Sequence, residues 1–498
     1  MSVFKKAVAI ASGQIEKNRP PPGLGFLAGV CEHNQVDYDV YDLNVYILDM
    51  VGEKDWLELY DYTSVYSDEN FNPVLDEKIN TVLESFVDLV IESSPDIILI
   101  TTLTYWENYW CQRLLEKIKQ KNIQAVTMVG GPGVSAQDHN QNSFGKQMCN
   151  KGILDYYVLG EGDIVLDQFF KGHKELGVNS SKDLVETWAI QIDDLDSIPV
   201  SSYKKIDINR YQTYQGSGEI SVTTSRGCVR RCTFCDVGNT WKKFKFRSAT
   251  NVAEEIRQHY LATGCTKFFF TDSLINGPLK NFINLMEELV KLQEVYPDLK
   301  QMSFSAQFII RPKSHHTEYM YQLMQKVNFQ NIQVGVETGS DRVRHHMKKG
   351  FTNEDLDYHM EMCNKYKLGN TLLFLVGYPT ETLEDFEDTL NMLKRYQKYL
   401  MNGVLIDANE SIPLILLKDT PLHEMAPDLG IELDNKYANI RWISKKNPEL
   451  TIKERFRRYI MMQRLMINLG YPRPATTAVQ LSQYIEKIKS LGSNTHVD

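Results

Sequence analysis

"SRGCVRRCTFCDVG", residues 225–238, sets three cysteines within eight positions of a 498-residue chain that has only eight in all. Cys228, Cys232 and Cys235 follow the spacing Cys-x3-Cys-x2-Cys. A loop of that length can wrap three thiolates around one corner of an iron–sulfur cubane. Such clusters normally take four cysteines, so three leave one iron open to a small-molecule ligand. The alternative is a zinc knuckle. Zinc sites usually come as paired Cys-x2-Cys or Cys/His units, and no second pair follows at suitable spacing. Eight cysteines in so long a chain do not make a disulfide framework. The expectation is a cytoplasmic protein in a reducing compartment, with thiolates free to bind metal.

Outward from this loop, short apolar runs alternate with stretches carrying apolar residues at three- and four-residue spacing. After the loop, strands are expected at 219–225, 267–272, 301–307, 331–337, 370–377 and 410–417. Six strand–helix units make a partial or complete β/α barrel, whose site lies at the carboxyl ends of the strands. Before the loop, strands are expected at 6–12, 37–43, 96–103, 125–131 and 155–162, with helical segments between. That pattern predicts an open parallel sheet covered on both faces, with ligands beyond the strands' carboxyl ends. Residues 44–76, rich in aromatics and acids, read as an insertion. The expected domains are 1–172, a bridging segment 173–218, a barrel 219–425, and a polar helical region 426–498 ending in a mobile tail.

Net charge is −9, so the surface as a whole does not attract nucleic acid. The basic runs at 241–247 and 453–459 read as solvated faces. The N-terminal apolar run ends within six residues, too short for a signal-peptide core. No stretch approaches the roughly 18 uninterrupted apolar residues of a membrane span.

The cysteine loop, with aromatic Phe234 just before the last cysteine, resembles the signature of the radical S-adenosylmethionine (SAM) superfamily. The resemblance covers about 219–425. It implies a 4Fe–4S cluster whose open iron chelates the methionine end of SAM and delivers the electron that releases a 5′-deoxyadenosyl radical. An external donor of flavodoxin or ferredoxin type would supply that electron. Asp272 and Ser273, in "FFFTDSLIN" (268–276), stand where the family holds the methionine ammonium; a helix N-cap is the other reading of Asp272. In "SAQFIIRP" (305–312), Gln307 and Arg311 follow, and arginine suits the methionine carboxylate, unless it is simply a surface residue. Glu337, in "VGVETGSDRVRHHMKKG" (334–350), is able to reach the cofactor, and the Gly377 turn could pair its backbone with adenine.

Upstream, four stretches form a second constellation: "RPPPGLGFLAGVCEHNQVDYDVYDLN" (19–44), "PDIILITTLT" (95–104), "MVGGPGVSA" (128–136) and "YYVLGEGD" (156–163). Ahead of a radical barrel they resemble the Rossmann- or flavodoxin-like domain of the cobalamin-binding branch. This implies bound cobalamin and a corrin contact set of Leu24, Thr102, Leu103, Tyr105, Gly130, Gly131, Gly133 and Glu161. Singly each is weak: the glycines could make a tight turn, Glu161 could cap a helix, and Tyr105 and Trp106 could be core. No Asp-x-His-x-x-Gly motif offers cobalt a histidine.

The resemblance implies a cobalamin-dependent methyltransferase acting on an unactivated carbon or phosphorus centre of a small molecule or biosynthetic intermediate. Three alternatives remain: a cyclase or rearrangement enzyme of the same branch, a methylthiotransferase, and a non-catalytic iron–sulfur scaffold. A methylthiotransferase would need a second cluster from Cys31, Cys111 and Cys149, of which the first two fall in expected helices.

Overall fold

A computed structural model describes residues 2–13, 18–64, 71–136, 142–211, 218–410, 413–433 and 442–472. It divides into two compact units, Met1–Val222 with Thr250–Phe269, and Thr223–Ala249 with Phe270–Asp498.

The first unit is built on strands β1 (Lys6–Ala11), β2 (Asp37–Asp42), β3 (Ile97–Thr101), β4 (Val126–Gly130), β5 (Tyr156–Val158) and β6 (Val178–Asn179). Their order is β2-β1-β3-β4-β5-β6, parallel except for the antiparallel edge β6. Side chains alternate across a strand, so a doubly covered sheet needs apolar residues at both parities. Val8, Ile10, Ile98 and Ile100 pack one way, with Phe86 and Trp110. Ala7, Ile97 and Leu99 pack the other way, with Ala28 and Phe170. The five expected strands are all present. The order reverses at β1 and β3, and that reversal is where ligands bind in such sheets.

The segment 44–76 does not stand apart as an insertion. A helix spans Leu43–Ser64 and the next begins at Pro73, with Trp56 and Leu59 in the core. Residues 65–70 lie outside the described set. Nor is 173–218 a bare bridge: it supplies β6, and Tyr203 is buried with its hydroxyl donating to the Ser221 carbonyl at 3.1 Å.

The second sheet runs β14-β13-β12-β11-β10-β7. Its strands are β7 (Ile220–Val222), β10 (Lys267–Phe270), β11 (Ser303–Phe308), β12 (Phe329–Glu337), β13 (Asn370–Phe374) and β14 (Leu405–Glu410). A two-stranded ribbon, β8 (Ser225–Arg226) with β9 (Lys245–Phe246), follows β7. Registers β11–β12, β12–β13 and β13–β14 are parallel, with a helix in each crossover. Capping boxes at Thr352/Asp355 and Thr382/Asp385 start two of those helices. The α/β class and six-strand count match expectation.

The last strand does not match. It lies at Leu405–Glu410 rather than 410–417. Pro413 interrupts the apolar run, and a proline has no N–H to give a ladder. Leu414 and Leu416 enter a core cluster with Tyr378 and Trp442 instead. The C-terminal region contributes a helix, Ile452–Leu469, closed by left-handed Gly470; the expected mobile tail lies outside the described residues. Among the described residues no helix is long and apolar enough to cross a membrane.

Candidate active site and corrin face

The cysteine loop leaves β8 through Gly227, whose φ is +86°. A Cβ there would sit 2.8 Å from the Lys243 carbonyl oxygen, so both the turn and the close approach require glycine. Between the cysteines, buried Thr233 pins the loop: its N–H donates to the Met347 carbonyl at 3.1 Å, and its hydroxyl lies 2.9 Å from that of Tyr378. The Leu422 N–H donates to the Thr233 carbonyl at 2.7 Å. Arg230 donates to the carbonyls of Ile310 (3.2 Å) and Gly350 (3.3 Å), and its own N–H points at Cys228 Sγ, 3.3 Å away. Loop and strand ends form one braced frame.

Cys228, Cys232 and Cys235 are free thiols, each half-buried. Burial raises all three above the usual thiol range, and the nearby Lys349 charge opposes the rise. Lys349 belongs to no sequence-derived set, although it lies within "MKKG" (347–350). Its ammonium lies 2.9 Å from Glu337 Oε1 and 5.9 Å from the Phe234 ring centroid. Burial alone would lower its pKa; Glu337 and the cysteines more than offset this and raise it. Glu337 ends β12 with φ +68°, a left-handed geometry rare outside glycine. A Cβ on neighbouring Gly335 would fall 2.5 Å from Glu337 Oε1 and 2.8 Å from Lys349 Nζ.

Asp272 is buried and caps no helix, since the next begins at Leu279. Its carboxylate accepts from the Thr224 N–H (3.1 Å) and hydroxyl (3.0 Å), tying it to the strand end that launches the cysteine loop. Burial pushes it up to about 6 against those hydrogen bonds. Ser273 is half-buried beside it, and Gln307 is exposed at the end of β11. Arg311 is not a plain surface residue. One guanidinium nitrogen donates to the Asn276 (3.1 Å) and Gly277 carbonyls. Burial, then the charge of Arg230, lowers its pKa. The Nε atoms of Arg230 and Arg311 are both buried without a hydrogen-bond partner among the described residues. Two orphaned cationic donors near Cys228 are the donor set an anionic group requires. Gly377 has φ +84°, but its N–H donates to Glu381 Oε2 at 3.1 Å. That N–H is already engaged, so it is not a free donor for adenine.

In the first unit the glycines serve close approach. Gly131 has φ +101°, and a Cβ there would meet the Thr102 carbonyl at 2.4 Å; one on Gly133 would meet Thr102 Oγ1 at 2.7 Å. Thr102 is buried in this turn, its N–H on the Gly130 carbonyl at 3.0 Å. Leu24 is buried against Ala9 and Ala11, so its side chain is part of the core. Glu161 precedes the helix Gly162–Phe170 without capping it through its side chain, and accepts from the Ile192 N–H at 2.6 Å. Leu103, Tyr105 and Trp106 are 46%, 60% and 45% exposed just past β3. They are therefore not core. They form an exposed apolar segment just past β3, at the reversal of the strand order. His33 lies in the last turn of its helix, 3.6 Å from Asp167; His139 lies outside the described residues. Cys31, Cys111 and Cys149 are buried within helices, and burial pushes each thiol up to about 12.

Residues 222–393 match the model of the Radical SAM superfamily. Solved structures of cobalamin-dependent radical enzymes share the fold along nearly the whole of this chain. The methyltransferase TsrM of Kitasatospora setae, solved with tryptophan substrate and a SAM analogue, aligns with TM-score 0.63 at 15% identity, over 94% of this chain and 90% of that one. The cobalamin-dependent radical enzyme OxsB, solved with aqua-cobalamin and SAM, aligns with TM-score 0.66 at 14% identity, over 98% and 72%. Curated relatives include the uncharacterized protein MJ0966 of Methanocaldococcus jannaschii, 24% identical over 63% of this chain and 66% of the relative. The uncharacterized methyltransferase PH0819 of Pyrococcus horikoshii is 23% identical over 60% and 63%. A tRNA-2-methylthio-N(6)-dimethylallyladenosine synthase of Hydrogenobaculum sp. is 24% identical over 46% and 51%. The chain thus spans less than two thirds of each of these relatives' length.

Proposed function

We propose that this protein is a cobalamin-dependent radical SAM methyltransferase acting on a small molecule. The observation that carries the reading is the cysteine loop, braced on the strand ends and ringed by Lys349–Glu337 and the two orphaned arginine donors. A 4Fe–4S cluster on Cys228, Cys232 and Cys235 would supply one electron to the sulfonium of SAM and yield a 5′-deoxyadenosyl radical. Arg311 would hold the methionine carboxylate, Asp272 and Ser273 the ammonium, and Lys349 would balance the negative charge of the thiolates. Cobalamin on the Leu103–Tyr105–Trp106 face would supply the methyl group. The sulfur chemistry of the cysteines and the exposed apolar side chains of Leu103, Tyr105 and Trp106 fit these groups. A methylthiotransferase is disfavoured, because a second cluster would need thiolates from the helix-borne cysteines, which burial holds neutral.

Anaerobic, dithionite-reduced protein given SAM should form 5′-deoxyadenosine; none at all would remove the enzymatic reading. S-adenosylhomocysteine formed alongside it, once substrate is found, separates methyl transfer from rearrangement.

Two further outcomes are expected. The fold favours protonated Asp272, a contribution to stability present at acid pH and lost as pH rises through about 6. An ammonium bound there favours the carboxylate, so binding expels a proton. SAM affinity should be flat above about pH 7 and weaken by up to about tenfold per unit below 6. Asp272→Asn should abolish the dependence; an unchanged profile would exclude the contact. Replacing both Tyr105 and Trp106 with alanine, at exposed positions, should weaken hydroxocobalamin binding about tenfold or more in spectrophotometric titration. Equal affinity would move the corrin elsewhere.

A further inference from the structure

Behind Arg311 runs a buried chain of hydrogen bonds with only one self-consistent arrangement of protons. The Arg311 backbone N–H lies 3.1 Å from His316 Nε2. A backbone amide only donates, so Nε2 is bare and the imidazole proton sits on Nδ1. His316 Nδ1 lies 2.7 Å from the Tyr321 hydroxyl oxygen, which accepts. The hydroxyl hydrogen is then left for His359 Nδ1, 3.0 Å away. That fixes the second imidazole proton on Nε2, 3.0 Å from Asn370 Oδ1. The Asn370 amide donates onward to the Leu368 carbonyl at 3.0 Å.

All four side chains are buried. Burial holds both rings neutral near physiological pH, pushing His316 down to about 3 and His359 to about 4. Phe308 stacks on His359 at 5.6 Å between centroids and meets His316 edge-on at 6.0 Å. The other side of the arginine is fixed as firmly. Asn276 exchanges two 2.9 Å hydrogen bonds with the backbone of Ile309 and receives the guanidinium on its carbonyl. The buried Nε of Arg311 has no hydrogen-bond partner among the described residues. A buried polar network of this kind costs more than an apolar core unless every member is satisfied. Its upkeep therefore points to the group at its head.

We propose that His316, Tyr321, His359 and Asn370 form a proton-ordered positioning relay that fixes the backbone of Arg311 and keeps its Nε poised for the carboxylate of SAM. The inference rests on the reading of Arg311 as the carboxylate holder. Tyr321 is the one group that both accepts from His316 and donates to His359. Without its hydroxyl, the His316 proton is free to move to Nε2, where it would face the Arg311 N–H donor to donor.

The test is the dissociation constant for SAM, measured by anaerobic equilibrium dialysis on reconstituted protein, with the thermal midpoint recorded for each variant. Tyr321→Phe and His316→Leu should each weaken SAM about tenfold, the effect expected of a buried donor left unpaired. His316→Gln restores an acceptor carbonyl near the Nε2 position and should stay within about threefold of wild type. Arg311→Ala is the reference. If it weakens SAM while Tyr321→Phe and His316→Leu do not, the relay is refuted and the carboxylate reading stands. If Arg311→Ala has no effect, the carboxylate reading falls and the relay with it. A glutamine variant as weak as the leucine variant would also overturn the relay. Independently of any variant, 15N-histidine spectra of the oxidised holoprotein should show one Nδ1–H and one Nε2–H tautomer in the buried pair. His316 in the Nε2–H form would contradict the proposal.

Discussion

Alanine at any one of Cys228, Cys232 or Cys235 should leave a folded protein that holds no stable cluster and forms no detectable 5′-deoxyadenosine, a loss of roughly three orders of magnitude or more. The fold should survive because the loop is not built by its thiols. Gly227 sets its entry, Thr233 pins its middle to the Met347 carbonyl and Tyr378, and Arg230 ties it to Ile310 and Gly350. Each sulfur is half-buried, so removing one creates little cavity, and stability should change by less than about 1 kcal/mol. Activity and fold therefore separate: normal circular dichroism and thermal midpoint, with iron and acid-labile sulfide lost on desalting. A single-alanine variant that still cleaves SAM at near wild-type rate would show that the loop does not hold the reactive centre.

The largest stability effect should follow Arg458→Met. Arg458 and Glu381 are both buried and meet at 3.0 Å. Arg458 also donates to the Thr382 carbonyl at 2.9 Å, and Glu381 accepts from the Gly377 N–H at 3.1 Å. The helix Ile452–Leu469 thereby clamps the turn after β13. Removing the cation leaves a buried carboxylate without its counter-charge, and breaking such a pair costs about 3–5 kcal/mol. Burial already pushes Glu381 up to about 7 against the pull of Arg458. Without the arginine the carboxyl is favoured neutral, so the deficit should be mildest at acid pH and grow as pH rises above 7. Hydrogen exchange at 376–382 and 452–469 should accelerate about a hundredfold or more at pH 8. The double variant with Glu381→Gln should recover part of that protection. Exchange unchanged within about twofold would mean the pair contributes nothing.

How much of this was legible in the sequence depended on how local each signal was. Strands buried on both faces, such as Lys6–Ala11, announce themselves as continuous apolar runs. The cysteines need only eight consecutive residues. Residues 410–417 misled because their apolar character serves a side-chain cluster and not a ladder. The aromatic, acidic stretch after residue 43 read as an insertion because Trp56 and Leu59 are core while much of the intervening helix faces water. The site residues divide in the same way. Asp272, Arg311 and Glu337 stand at strand ends, where the alternation itself marks them. Lys349 lies twelve residues beyond Glu337 and meets it only after the chain turns back through the helix Asp341–His346. The His316–Tyr321–His359–Asn370 chain gathers residues from four separate positions, and no spacing rule joins them. Leu24 shows the converse: a glycine-flanked motif position whose side chain the fold consumes as core.

The central claim is that three thiolates leave one iron vacant for SAM. Its most direct measurement is the electron paramagnetic resonance spectrum of the anaerobic, dithionite-reduced protein before and after SAM is added, beside an iron and sulfide count. One cluster of about four irons and four sulfides per chain, with a spectrum that changes on addition of SAM, is the expected result. Bound zinc, no sulfide, or a cluster spectrum indifferent to saturating SAM would contradict it.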